Sequence, residues 1–147
     1  EVEADTATLG QAAAVVTLSS IATGIGTSGL GSPSTLVLGT LAALVGWFLW
    51  AVLIYVIGVK LLPEPQTESD IGELLRTIGF ASSPGILRVF GVIPVFGPLI
   101  LVAASLWMLA AMVVAVRQAL DYEGTVRAVG VCLIGFFFQA LLIAAFI

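Results

Sequence analysis

Three charged residues carry most of the chemistry this sequence could hold. Glu73 and Arg76 stand three residues apart in "IGELLRTIGFA", and Arg88 follows in "GFASSPGILRVF". Residues i and i+3 share one face of a helix, so Glu73 and Arg76 are placed to pair. An ionisable side chain within an apolar segment is a candidate functional site, because hydrocarbon does not solvate a charge. A helix starting at Ser83-Pro84 would also present free N–H groups to an anionic group. The plainer alternative, and the expectation here, is that Glu73, Arg76 and Arg88 reach the headgroups near the two faces of a membrane.

Other chemistry is excluded by what is absent. There is no histidine, which removes Ser-His and Cys-His nucleophiles, histidine metal sites and the commonest haem ligand. The acidic residues fall in loops and at span ends without metal-ligand spacing. The expectation is therefore no catalytic residue, no metal and no cofactor. "GIGTSG" at 24–29 matches a dinucleotide fingerprint literally, but it follows an apolar helix and opens no βαβ unit. The five basic residues are scattered and form no nucleic-acid face. The single cysteine, Cys132, excludes an internal disulfide and reads as an inert packed thiol.

The elements that must position these residues are membrane spans. The 147-residue chain is 60% hydrophobic and 10% charged, with a mean hydropathy of +1.19; soluble domains average about 25% charged residues. Lipid is its solvent. Clear spans cover 9–30, 36–62, 98–120 and 126–147, and a fifth, 71–93, is broken. Asp70 and Glu73 have the spacing of a capping box that starts a helix near Ile71. Ser83 before Pro84 reads as a second helix start, so the break lies at Ser82–Pro84. Its two halves, about 22 residues, would span roughly 33 Å if stacked.

A broken helix in lipid must be enclosed by protein, so 71–93 is expected inside the other four spans. Gly79 and Gly85 let neighbours approach it. Gly39-x-x-x-Ala43, Ala42-x-x-x-Gly46 and Ser20-x-x-x-Gly24 favour close packing elsewhere. Trp47, Trp50, Tyr55 and Trp107 are available to line a groove, although such residues more often serve as interface belts and packing. If 71–93 crosses, Lys60, Arg76, Arg117 and Arg127 gather at one face, which the positive-inside tendency makes cytoplasmic together with the N-terminus. The fold expected is an all-α polytopic bundle of about five transmembrane helices, the third broken near Ser82-Pro84. It forms a single transmembrane domain over 1–147 that lacks an N-terminal cytoplasmic segment.

"TESDIGELLRTIGFASSPGILRVFGVIPVFGPL" and "LWMLAAMVVAVRQALDYEGTVRAVGVCLIG" together resemble the bacterial branch of the Yip1 membrane-protein family. The resemblance rests on Glu73-Leu74-Leu75-Arg76, Gly79-Phe80-Ala81 with Pro84, the Pro94/Gly97 turn and Trp107. It continues through Ala119-Leu120-Asp121-Tyr122 before Arg127-Ala128, so its specific part covers about 65–135. It implies five membrane helices, a cytoplasmic N-terminus in a bacterial inner membrane and no enzymatic activity. Eukaryotic members bind prenylated GTPases; that role is not carried over, because the cytoplasmic region is not seen here. The expected function is a non-catalytic scaffold acting on lipid and other membrane subunits. An accessory subunit of a photosynthetic or respiratory complex is the alternative. A small transporter using the 79–90 break ranks lower, since no inverted repeat is found.

Overall fold

The computed structural model describes residues 2–28 and 32–146, with side chains over 7–27 and 32–141. Glu1, Ile147, the end of the first span at Leu30 and the last glycine of "GIGTSG" lie outside the described residues.

The helices are α1 (Val2–Ser28), α2 (Pro33–Tyr55), α3 (Ile71–Ala81), α4 (Gly97–Ala119) and α5 (Thr125–Phe146). Ala7–Thr27, Pro33–Leu61 and Gly97–Ala119 are long and apolar enough to cross a membrane, and α5 supplies a shorter apolar stretch, Thr125–Leu141. The architecture is an all-α, polytopic, membrane-type bundle with a bent third element.

Local chemistry sets the helix ends. At α2 the Ser32 hydroxyl accepts from the Thr35 N–H at 3.4 Å, and Pro33 fills a position whose N–H would have no partner. At α3 the Asp70 carboxylate accepts from the Glu73 N–H at 2.6 Å, as the capping spacing predicts. α2 does not stop at Tyr55. It widens into a π-helical turn over Val56–Leu61, closed by the Leu62 N–H on the Ile57 carbonyl at 2.9 Å.

The break after α3 is present but built differently from the expectation. Ser82, not Ser83, holds the junction, and Ser83–Val92 is a 3₁₀ helix whose start has no side-chain cap. Ser83 is exposed. The Ser82 hydroxyl turns back and donates to the Gly79 carbonyl at 2.6 Å, which satisfies an acceptor near the end of α3. The Ser82 carbonyl accepts from the Gly85 N–H at 2.9 Å and from the buried Ser19 hydroxyl of α1 at 3.0 Å. The end of α3 is therefore capped from another helix. Two glycines permit that closeness: a Cβ on Gly79 would stand 2.8 Å from the Ala12 Cβ, and one on Gly85 would overlap the Ser19 hydroxyl.

The principal neighbours of α3 and its 3₁₀ continuation are α1, α2 and α4, while α5 packs on α2 and α4. This corrects the expected enclosure by four spans. Buried apolar residues concentrate between the second half of α2, α3, the end of α4 and the start of α5, where Ile54, Ile57, Leu74, Val116, Leu120 and Val131 are fully enclosed. Cys132 packs there too. The stretch of α2 before Trp50 is different: Val37, Leu38, Leu41, Val45, Phe48 and Leu49 are exposed. Lipid is as apolar as leucine, so helix packing in a membrane rests on contact and hydrogen bonding rather than on burial. The bundle is tight at one end and parts at the other.

Candidate functional site

The tight end is tied by polar groups. The segments 62–70 and 120–124 meet there: Glu64 accepts from the Glu123 N–H at 3.1 Å and pairs with Arg127 at 3.3 Å. Arg127 also donates to the Pro63 carbonyl at 3.2 Å. Arg117 turns over the end of α4, donating to the carbonyls of Tyr122 at 3.2 Å and Glu123 at 2.9 Å. The Tyr122 hydroxyl donates to the carbonyls of Gly58 at 2.9 Å and Leu62 at 2.8 Å, at the π turn where carbonyls are displaced from helical partners. Burial pushes the Tyr122 phenol above its ordinary range, an effect that Arg127 opposes and Glu64 adds to. Arg117 and Arg127 thus hold this end closed.

Where the helices part there is a cavity of about 510 Å³ bounded by α1, α2, α4, α5 and the bent element. Gly39 and Gly46 line it, and a Cβ on either would meet nothing within 4 Å. These two glycines face open space, although α1 stays close to the same stretch: the Ser20 hydroxyl donates to the Gly39 carbonyl at 3.4 Å. Trp47 and Trp50 form part of the wall. The Trp47 N–H donates to the Leu75 carbonyl at 3.1 Å. Trp50 stacks on Phe136 with ring centroids 4.6 Å apart, and its buried N–H has no acceptor. These two indoles are interior groups and not a belt.

Arg88 lines the same cavity. Its backbone passes so close to Gly26 that a Cβ there would overlap the Arg88 carbonyl. Its guanidinium donates to the Ser105 hydroxyl of α4 at 2.9 Å, and Ser105 donates to the Leu101 carbonyl at 2.7 Å. Among the described residues no carboxylate lines the cavity.

Glu73 and Arg76 sit half-buried on the first turns of α3, at the tied end and away from Arg88. Gly79, Ser83 and Pro84 belong to the break, with Pro84 buried. Trp107 lies on the outer face of α4 and is 61% exposed. The structure gathers Arg117 with Arg127 and leaves Glu73 and Arg88 apart. Sequence reasoning missed Ser19, Glu64 and Ser105, and named Tyr122 only within the stretch that carries the resemblance. Ser105 was the most findable: it is the one hydroxyl in the apolar length of α4.

Among the described residues no cluster of His, Cys, Asp or Glu could hold a metal ion. Residues 4–147 match the Yip1 domain. The chain belongs to the Yip1-domain family. The match takes in α1, α2 and α5 as well as the 65–135 stretch that carries the resemblance. No curated protein and no solved structure matches the chain. In this Yip1-domain chain the polar side chains close loops, a helix break and one cavity wall, and the whole is a membrane-embedded, multi-pass body.

Proposed function

We propose that this chain is a non-catalytic scaffold that crosses a bacterial inner membrane five times, N-terminus cytoplasmic, and receives a partner membrane protein on α4. Trp107 carries the reading. It stands ten residues beyond the start of a 23-residue helix, about 15 Å along it and so near mid-bilayer. Tryptophan favours the membrane interface, where its N–H meets water. At mid-bilayer an exposed indole has only hydrocarbon around it, and an unmet N–H there is unfavourable. No hydrogen bond reaches it among the described residues. A partner helix offering a hydroxyl or carbonyl acceptor would satisfy it.

The junction of segments 62–70 and 120–124 supports five crossings, since the chain leaves and returns at one end between them. The grouping of Lys60, Arg76, Arg117 and Arg127 supports a cytoplasmic place for that end.

Native protein purified in mild detergent is expected to co-migrate with a membrane partner. Trp107→Ala is expected to lose it while keeping the melting temperature of the isolated chain. Retention of the partner by the variant would overturn the docking face. In a Cys132→Ala background, cysteines at Glu68 and Gly124 should label from one side and a cysteine at Val95 from the other. Labelling of Glu68 and Gly124 from opposite sides would end the five-span reading.

A further inference from the structure

We infer that the cavity between α1, α2 and α5 holds one acyl chain of an anionic phospholipid, with its phosphate on Arg88. The cavity is graded along its length. Arg88 lies beside Gly26, two residues before α1 ends, so its backbone is about 3 Å from that end. Thr23 and Ser20 follow it down α1, and Trp50 and Phe136 close the deep end. Along α2 the lining runs from Gly39 to Trp50, about 16 Å of helix and so about half of the roughly 30 Å hydrocarbon core. That is the depth of one leaflet. A volume near 510 Å³ lies within the usual 300–1,000 Å³ of ligand sites. Gly39 is exposed and open, which leaves room for the second chain to remain in the bilayer.

Charge chooses the headgroup. Arg88 makes one hydrogen bond, to a neutral hydroxyl, and keeps donors to spare. A cation in an apolar wall without a counter-ion is unfavourable, and a phosphate relieves this with charge-assisted, two-point hydrogen bonds. The Gln139 amide also lines the cavity, adding a neutral donor. With no carboxylate in the wall, the ammonium of a zwitterionic lipid would find no partner. A net-anionic headgroup matches the single positive charge. The site is separate from the outer face of α4 that carries Trp107, so either reading can fail alone.

The test uses the full chain, stripped of lipid in detergent, with thermal stability followed as a probe is titrated. The probes are phosphatidylglycerol, phosphatidylcholine, oleate and inorganic phosphate. Phosphatidylglycerol is expected to raise the melting temperature saturably, at concentrations where the other three do not. Arg88→Gln should weaken the phosphatidylglycerol response about tenfold or more, the scale of a lost charge-assisted hydrogen bond, and Arg88→Lys should restore part of it. Gly46→Leu, which grows into open space, should block the response without altering helix content. Equal responses to phosphatidylglycerol and phosphatidylcholine would overturn the proposal, as would a full response to oleate or to phosphate alone. Should Arg88→Gln fail to fold, the wild-type probe series and Gly46→Leu still decide.

Discussion

Gly85→Ala is the sharpest perturbation of the bent element. The added methyl would fall on the Ser19 hydroxyl, which is 5% exposed and has little room to swing. Either α1 shifts or Ser19 rotates and releases the Ser82 carbonyl, to which it donates at 3.0 Å. Overpacking of this kind costs about 1–3 kcal/mol, and the lost hydrogen bond adds about 1 kcal/mol. The single variant should therefore lose about 2–4 kcal/mol. Ser19→Ala alone should lose only about 0.5–1.5 kcal/mol, because the Ser82 carbonyl keeps the Gly85 N–H at 2.9 Å. In the double variant the clashing oxygen is gone, and the new methyl would stand 3.3 Å from the Cβ of residue 19, a tight but tolerable contact. The double variant should then be more stable than Gly85→Ala, with a coupling of about 1–2 kcal/mol. Equilibrium unfolding in mixed micelles, titrated with a denaturing detergent, measures all four corners of the cycle. Additive losses would show that Ser19 and Gly85 are not in contact, and the account of the break would fall with them.

Two other features give direct expectations. Tyr122→Phe should cost about 1–3 kcal/mol, since it leaves the carbonyls of Gly58 and Leu62 without their donor. Burial raises the folded phenol above its unfolded value, so its contribution is complete below about pH 10 and is lost as pH rises through the folded value. The stability gap between wild type and Tyr122→Phe should accordingly shrink at alkaline pH; a constant gap would refute this. Val95→Gly should raise stability. Val95 has φ 73° in a γ-turn closed by the Phe96 N–H on the Pro94 carbonyl at 2.9 Å, and it is 87% exposed. Relief of about 1–2 kcal/mol exceeds the roughly 0.4–1 kcal/mol of added unfolded-state entropy. A lowered melting temperature would contradict it.

The start of α3 was legible because a capping residue acts on its own next turn: Asp70 and Glu73 are three positions apart, and nothing distant is needed. Pro84 announced the break for the same reason, since proline removes a local donor. What closes the break was not legible. Ser19 looks like any small residue in "VVTLSSIATG", and only the fold puts its hydroxyl against Ser82. The glycines of α2 show a second limit. Gly39-x-x-x-Ala43 says that a helix could come close, not on which side: α1 does, with the Ser20 hydroxyl on the Gly39 carbonyl at 3.4 Å, while the side on which a Cβ of Gly39 would stand is open. Arg88 was found as a charge in an apolar segment, but its direction depended on Ser105, a residue on another helix. For Trp50 and Trp47 the sequence left groove lining, belt and packing open, and only the approach of α3 and α5 decides among them.

The bond from Ser19 to Ser82 joins residues 63 positions apart, and this bears on how the chain enters a bilayer. A broken helix is a poor passenger for hydrocarbon by itself, because the backbone groups freed at the break are unfavourable there. One partner for them is on α1, which precedes the break in the chain. During synthesis α1 is already in place when the bent element emerges, so the later segment can be accepted against it as a pair.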